Sequence, residues 1–277
     1  MAATESGPVT LEAQQVSKSY GSVTALYPLT LRLGPGLYGV AGHNGAGKTT
    51  LFRVLAGLDR PTSGSVRISG NNPLRTAGLA AFAPAHLPLP DLTAAAYLRA
   101  LCAMRGQPAA VADAAITRLG IPPGRMHTLS HGSRQKVNLA AMLTAEAALF
   151  LADEPASGLD PDSAEEIGRW LSERAQAACV LVASHDLTWL VTHCSDIWWL
   201  RDGRCVGQGQ CAVAAAVRVQ VREHGKVSSY VYPVQQSQQR LWEHLQAGHE
   251  ILDVTRLPFQ LEQAYAALEG QWPQESR

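Results

Sequence analysis

The chain has 277 residues, and its apolar content of 46% is enough for one large domain or for one domain with a small appendage. Twenty-three basic residues balance 23 acidic ones and no long basic run occurs, so a nucleic-acid-binding groove is not predicted. The five cysteines form no C-x-x-C pair, which predicts small, buried thiols. The sequence has no signal-peptide pattern and no run of about 18 apolar residues, and we therefore expect a cytosolic or peripheral protein.

The first predicted elements form a β-rich region that leads into a helix. Residues 9–20 and 29–33 alternate apolar and polar side chains, with turn residues between them, which is typical of antiparallel strands. Residues 37–41 are apolar and short enough for a buried strand. Leucine and valine at positions 51, 54, 55 and 58 follow helical spacing, and they predict a helix over residues 51–58.

A glycine-rich turn, GHNGAGKTT at residues 42–50, connects that strand to that helix and matches the pattern G-x-x-x-x-G-K-[ST]. Glycines let the backbone wrap closely around an anion, and the N–H groups at the start of the helix face its phosphates. Lys48 adds a positive charge for the β- and γ-phosphates, and the Thr49 hydroxyl is a ligand for Mg²⁺. The turn therefore predicts a nucleoside triphosphate site, whose residues are Gly42, Asn44, Gly45, Ala46, Gly47, Lys48, Thr49 and Thr50.

Past a short strand and a proline-rich segment, the middle of the chain is predicted to be helical. One helix begins at Asp91 or Thr93, either of which can cap it. Three residues are predicted to line one face of this helix: Tyr97, Leu101 and Met104. A second helix covers residues 109–119 and ends at Gly120.

From residue 134 onward, helices and strands alternate. Helices over residues 134–145 and 162–177 precede strands over residues 147–152 and 179–184. Both strands are continuous apolar runs, as a parallel sheet buried on both faces requires. Two more strands flank a turn at residues 201–203.

The composition changes near residues 212–216, and the pattern beyond predicts a small α+β appendage. Its predicted strands cover residues 217–222, 227–234 and 250–255, and its predicted helices cover residues 236–246 and 259–268. We therefore expect a domain over residues 8–210, with a helical subdomain over about 86–145, and an accessory region over residues 211–277.

Two carboxylates, Asp153 and Glu154, end the apolar strand near residue 150. Ligands of open parallel sheets gather at the carboxyl ends of the strands, so Asp153 is predicted to lie beside the phosphate loop. One carboxylate can hold Mg²⁺ and the next can polarise an attacking water. The alternative is a solvated acidic turn with no chemistry.

A second helix start carries a hydroxyl and a glycine, in the run LSHGSRQK at residues 129–136. The N-terminus of a helix attracts anions, so this segment is predicted to be a second helix start that can bind an anion. One phosphate loop and a separate anion-binding helix start suggest two chains that share nucleotides between them. The plainer alternative is that Ser130 only caps its own helix.

Taken in order, these segments resemble the ATP-binding subunits of ABC transporters. Residues 42–49 match the family's phosphate loop, residues 129–133 its signature, which is usually LSGGQ, and residues 150–154 its acidic strand. Residues 156–160 resemble the loop through which two subunits communicate. The match extends over about residues 9–210 and implies an α/β fold: a P-loop NTPase core with a mostly parallel sheet, an antiparallel β subdomain and a helical subdomain.

The resemblance also implies roles for single residues. His185 is similar to the family's switch histidine, which stabilises the γ-phosphate, and Tyr20 lies where the family stacks an aromatic ring on adenine. Ser130 and Gly132 would contact the γ-phosphate bound by a second subunit. Taken alone, His185 also fits a histidine at the edge of the core, and Tyr20 fits an ordinary hairpin aromatic.

Two positions depart from the family's pattern. Ala85 stands where the family usually has a glutamine that touches Mg²⁺ or water, and an alanine side chain has no ligand atom. His86 is a candidate substitute; the alternative is a mechanically altered loop with slower hydrolysis or looser coupling. His131 replaces the first glycine of the signature, which is compatible with the backbone role if its φ angle is negative.

The resemblance implies an ATP-hydrolysing subunit that pairs with a second one around two ATP molecules and drives a separate membrane permease from the cytoplasmic face. Residues 261–270 are similar to the closing helix of the ATPases that serve bacterial ABC-2-type exporters, which favours export. Two alternatives stay open: a soluble ABC ATPase that acts on ribosomes or DNA, and a slow regulatory nucleotide-binding module.

Overall fold

The computed structural model describes residues 10–86, 90–210, 216–223 and 226–257. The chain divides into two units, Met1–Gln208 and Gly209–Arg277, which are described separately below. The sequence prediction puts the boundary between residues 210 and 211.

An antiparallel sheet of three strands opens the first unit. Its strands are β1 (Leu11–Tyr20), β2 (Val23–Leu33) and β4 (Ser63–Ile68), in the order β2-β1-β4. Apolar residues alternate along these strands and are buried on one face, as at Leu11 and Ala13 of β1, which are fully buried. The period-2 pattern of the sequence therefore corresponds to one buried face and one solvated face.

A six-stranded sheet forms the centre of the first unit, in the order β5-β6-β7-β3-β8-β9. Its strands are β3 (Gly36–Ala41), β5 (Ala80–Ala83), β6 (Leu149–Asp153), β7 (Cys179–Ser184), β8 (Asp196–Arg201) and β9 (Arg204–Gln210). The first five strands in that order pair in parallel. Strands β6 and β7 are buried along their whole length, as their unbroken apolar runs predict.

The described part of this unit contains six α-helices: α1 (Lys48–Leu55), α2 (Ala94–Met104), α3 (Ala109–Leu119), α4 (His131–Leu143), α5 (Pro161–Ala175) and α6 (Leu187–His193). Helix α2 is capped by Thr93, whose hydroxyl accepts a hydrogen bond from the Ala96 amide, and α3 ends at Gly120 in the left-handed conformation. Within the described residues, no helix combines the length and apolar character that a bilayer span requires.

The structure corrects several details of the predicted elements. Helix α1 ends at Leu55, so Leu58 lies outside it and is 59% exposed. The residues predicted to line one face of α2 are Tyr97, Leu101 and Met104, and none of them is fully buried: Met104 is 83% exposed, whereas Leu98 and Cys102 are buried. The alanine-rich sequence offers several apolar faces, and tertiary packing selects among them. Cys205 is exposed, against the expectation of buried thiols.

Strand β5 and helix α6 have no counterpart in the sequence prediction. Strand β5 is four residues long and alanine-rich, so its own propensity for strand is weak and pairing with β6 forms it. Helix α6 spans seven residues, too few for a clear helical period, and is capped by Asp186, whose carboxylate accepts from the Trp189 amide.

The second unit contains an antiparallel sheet and a helix. Its elements are β10 (Ala216–Glu223), β11 (Lys226–Pro233), α7 (Val234–Gln246) and β12 (Glu250–Leu257), with the sheet order β11-β10-β12. Val219 and Val221 are fully buried, and three partly buried residues pack on them: Tyr230, Leu241 and Ile251. The helix predicted over residues 259–268 lies outside the described residues.

Candidate nucleotide site

The phosphate loop runs from the carboxyl end of β3 to the first residue of α1. Gly45 and Gly47 have φ angles of +85° and +102°, a region that other residues rarely adopt. A Cβ atom on Gly47 would lie 2.7 Å from the carbonyl oxygen of Ala25, so any larger residue there meets backbone. No side chain caps the N-terminus of α1, and its first N–H groups are therefore left for a ligand.

A cavity of about 910 Å³ opens in front of this loop. Residues of the loop from His43 to Thr50 line one wall. Asp153 and Glu154, at the end of β6, line a second wall, and residues 84–86, after β5, line a third. The hairpin side of the cavity includes Thr24, Ala25, Tyr27, Asp202 and Gly203. No sequence motif marks these last residues as part of a site. They reach the phosphate loop only because the folded sheets bring β2 and the β8–β9 turn next to it.

Lys48 is buried and lies at the centre of the polar groups of the cavity. Its Nζ atom donates to the carbonyl oxygen of Gly42 at 2.5 Å and lies 3.4 Å from Oε1 of Glu154. This ammonium is held by the loop at one side and by a carboxylate at the other. A phosphate group entering the cavity meets a fixed positive charge beside the N–H groups of α1.

Thr49 and Asp153 are joined directly, since Oγ1 of Thr49 donates to Oδ2 of Asp153 at 2.5 Å. Asp153 is 2% exposed, and burial raises the pKa of its carboxyl group, an effect that the Thr49 hydrogen bond opposes. A hydroxyl and a buried carboxylate are oxygen donors of the kind that Mg²⁺ prefers. The donor set therefore fits a magnesium ion bound beside the phosphates.

Glu154 has a φ angle of +52°, which is unusual for a residue with a side chain. Its carboxylate accepts from Oγ of Ser184 at 2.9 Å and from the amide of His185 at 3.1 Å. Nδ1 of His185 lies 3.0 Å from Oε2 of Glu154. The structure thus brings the predicted histidine to the predicted carboxylate across β6 and β7, although His185 does not line the cavity itself.

The start of α4 faces solvent and lies outside the lining of the cavity. Ser130 is exposed, and its hydroxyl accepts from the amide of Ser133 at 3.1 Å, so it caps α4. A Cβ atom on Gly132 would lie 2.6 Å from the carbonyl oxygen of Gly158, which explains the glycine there. His131 is the first residue of α4, and its ring packs against Gly158. Its φ angle is negative, as the backbone role of this position requires.

Tyr20, like Gly42, His185, Ser130 and Gly132, is a predicted site residue that lies outside the cavity lining. It is 47% exposed, its hydroxyl donates to Oδ2 of Asp59 at 2.6 Å, and Nζ of Lys18 lies 4.8 Å from its ring centroid. The aromatic residue in the lining is Tyr27, whose ring lies 3.5 Å from the guanidinium carbon of Arg204. Adenine stacking on Tyr20 stays a prediction.

Ala85 stands where the family usually has a glutamine, and it lines the cavity together with Pro84 and His86. Two buried amides behind this wall had no signal in the sequence: Gln135 and Asn138, both on α4. They lie in a stretch of helical spacing in which polar residues are expected to be exposed. Their burial is visible only in the folded chain.

Comparisons with known proteins agree with this geometry. Residues 27–157 match the model of the ABC transporter family. The chain is 30% identical over 274 residues to "Ribose import ATP-binding protein RbsA 2" of Streptomyces avermitilis, which covers 91% of this chain and 53% of that protein. It is also 30% identical over 218 residues to "Nod factor export ATP-binding protein I" of Paraburkholderia xenovorans, covering 72% of this chain and 70% of that protein.

Solved structures share the fold. A dimeric ATP-binding cassette in a post-hydrolysis state, bound to ADP and Pi, superimposes with a TM-score of 0.67 at 22% identity and covers 73% of this chain and 98% of that one. The predicted fold class, a P-loop core with an antiparallel β subdomain, is confirmed. The chain spans about half the length of the ribose-import relative. On the family match, the relatives and the geometry of the phosphate loop, the chain belongs to the ABC transporter family and carries its ATPase domain.

Proposed function

We propose that this chain is the ATP-hydrolysing subunit that drives a separate membrane permease. The observation that carries the proposal is the position of Glu154 at the cavity wall. Its carboxylate lies 3.4 Å from Nζ of Lys48 and 3.0 Å from Nδ1 of His185, next to the Thr49–Asp153 pair. A carboxylate placed between a phosphate-binding lysine and a histidine is suited to activate water for attack on a γ-phosphate.

The remaining roles follow from the same contacts. Lys48 and the N–H groups of the loop bind the phosphates. Thr49 and Asp153 would hold Mg²⁺, which would supply positive charge beside the phosphate oxygens. Glu154 orients and deprotonates the attacking water. His185 stabilises the γ-phosphate from the end of β7.

The proposal includes a second copy of the ATP-binding subunit. Ser130 and Gly132 lie at an exposed helix start outside the chain's own cavity, where a phosphate held by another subunit can reach them. The solved cassette of the same fold that holds ADP and Pi is a dimer, which supports this arrangement. Two ATP molecules would then lie between two subunits.

Location and direction are also part of the proposal. The two relatives named above are called an import and an export protein, so the family alone leaves both directions open. We favour export, because residues 261–270 resemble those of exporter ATPases and because the export relative is matched over 70% of its length. The subunit would act at the cytoplasmic face of the membrane, with residues 8–210 as the ATP-binding domain and residues 211–277 as an accessory region.

A slow regulatory module is the second candidate, and Ala85 is the observation that favours it. Ala85 lines the cavity without a polar side-chain atom where the family usually has a glutamine. Steady-state ATP hydrolysis by the purified chain separates the two. Turnover below about one per minute, with ATP bound normally, would favour the regulatory role.

Glu154→Gln tests the main proposal. The amide keeps the shape of the carboxylate but is not a base, so turnover should fall by at least about 100-fold while ATP affinity changes by less than about three-fold. Isothermal titration calorimetry measures the affinity, and phosphate release measures turnover. Glu146→Gln, at an exposed position away from the cavity, is the matched control. Wild-type turnover in Glu154→Gln would refute the assigned role.

A further inference from the structure

Two amide side chains on α4 are buried one helical turn apart. Gln135 is 4% exposed and Asn138 is 2% exposed. Residues three positions apart on a helix lie on the same face, so both amides emerge from one side of α4. Buried amides must find hydrogen-bond partners, and the partners of these two lie at the nucleotide cavity.

Gln135 binds the main chain of the proposed catalytic carboxylate. Its Nε2 atom donates to the carbonyl oxygen of Glu154 at 3.0 Å and lies 3.5 Å from that of Pro155. The amide of Glu154 donates to the carbonyl oxygen of Ala183 at 2.8 Å, and the amide of Ser157 donates back to the Glu154 carbonyl at 3.1 Å. The peptide groups on both sides of Glu154 are therefore fixed, which is how its unfavourable φ of +52° is maintained.

Asn138 binds a different wall of the cavity, at the end of the neighbouring strand β5. Its Nδ2 atom donates to the carbonyl oxygen of Pro84 at 2.6 Å. Pro84 is followed by Ala85 and His86, and all three line the cavity. One helix face thus holds both the wall that carries Glu154 and the wall that contains the missing glutamine.

We propose that Gln135 and Asn138 are positioning residues that couple the exposed start of α4 to these two walls of the chain's own nucleotide cavity. The inference rests on the proposed function and extends it. Helix α4 begins with His131, directly after Ser130, the residue proposed to meet the nucleotide of a second subunit. Because a helix moves as a rigid rod over such a short length, displacement of its start shifts both amides and, through them, Glu154 and Pro84.

Two substitutions remove the amides while keeping the side-chain volume close to the original: Gln135→Met and Asn138→Leu. We expect the kcat for ATP to fall by about 10- to 100-fold in each, because misplacement by about 1 Å is enough for such a loss, while the Kd for ATP stays within about three-fold. Hydrogen exchange of the free chain should rise in the peptide over residues 153–157 for Gln135→Met and in the peptide over residues 82–86 for Asn138→Leu.

Thr144→Val is the matched control. Thr144 is 3% exposed at the other end of α4, where its hydroxyl donates to the carbonyl oxygen of Ala140 at 2.8 Å, far along the helix from the cavity contacts. This variant should lower the melting temperature as the others do, yet leave kcat and the exchange of both peptides unchanged.

Wild-type kcat and unchanged exchange in Gln135→Met and Asn138→Leu, with melting temperatures like that of Thr144→Val, would overturn the inference. If one variant does not fold, the other still tests the coupling, because each amide reaches its own wall. A wild-type chain that binds ATP without hydrolysing it would refute the proposed function instead. The exchange measurement would in that case still decide whether the amides hold the two walls.

Discussion

The starts of α1 and α4 are both glycine-containing helix N-termini, but their N–H groups are used differently. At α1 the preceding residue is Gly47, with φ +102° and no side chain to cap the helix. At α4 the preceding residue is Ser130, with φ −61° and a hydroxyl that accepts from the amide of Ser133. The first helix start needs an external anion, whereas the second satisfies one of its donors within the chain.

The two helix starts also differ in what surrounds them. The start of α1 lies in a cavity with Lys48, Asp153 and Glu154 around it. The start of α4 is exposed and rests on the backbone of Gly158. In the proposed dimer, the start of α1 binds the chain's own nucleotide, and the start of α4 contacts the nucleotide that a second chain holds.

Removal of the buried ammonium should have the largest effect. Lys48→Ala removes the positive charge at the α1 site, so ATP should bind at least about 100-fold more weakly. Binding measured by calorimetry should drop in this variant, while Ser130→Ala binds ATP normally. Affinity within about three-fold of wild type for Lys48→Ala would show that the two helix starts do not differ as described.

Ser130→Ala tests whether the start of α4 contributes to ATP hydrolysis without contributing to ATP binding at the start of α1. We expect turnover to fall by about ten-fold or more because the shared phosphate loses a contact, and stability to fall by about 1 kcal/mol because α4 loses its cap. Thr93→Ala is the matched control, since Thr93 caps α2 by the same hydrogen bond from an amide three residues on. It should show a similar loss of stability by chemical denaturation and wild-type turnover. Equal turnover in the two variants would argue against a shared site.

Gly132→Ala should show how tightly the start of α4 is held. The added methyl group meets the carbonyl oxygen of Gly158, a backbone atom that cannot move aside freely. We expect a loss of about 1–2 kcal/mol in the free energy of unfolding, although alanine is the better helix former. Gly209→Ala, where nothing lies within 4 Å, should change stability by less than about 0.5 kcal/mol. A stabilised Gly132→Ala variant would mean that α4 can shift away from Gly158.

The smallest effect is expected at the far end of α1. The two oxygens of Asp59 accept from Nε and Nη2 of Arg53, each at 2.9 Å, and these bonds, followed by that from Tyr20, lower its pKa to about 2. A lowered pKa adds stability above the unfolded value near 3.8 that is lost as the pH falls towards 2. Asp59→Asn should therefore lower stability at pH 7 by less than about 1 kcal/mol, and the difference should shrink below pH 4. Denaturation curves at several pH values test this; a difference that does not depend on pH would exclude the ion pair.

Several features could be predicted from the sequence because they are encoded locally. The boundaries of β7 and α3 agree with the pattern, since an apolar run between polar turns and a helix that ends at glycine are both short-range signals. The face of α2 could not be predicted in the same way. Its alanine-rich sequence leaves several faces equally apolar, and the neighbouring elements decide that Leu98 and Cys102 are buried.

The candidate site divides along the same line. The sequence predicts Lys48, Thr49 and the paired carboxylates as site residues. The chemistry of phosphate and Mg²⁺ requires those residue types, and each group lies within a short stretch of the chain. Tyr27 and Asn138 were not predictable, because no motif marks them, and the run at residues 129–136 that contains Gln135 gives no sign that its side chain is buried.

The sequence by itself determined the phosphate loop, the acidic strand end and the family, since each depends on residues close together in the chain. Only the tertiary structure decided that His185 reaches Glu154, that Ser130 lies outside the lining of the chain's own cavity, and that α4 is bonded to two cavity walls. These contacts join residues 19 to 54 positions apart, and their partners are chosen by packing rather than by local pattern.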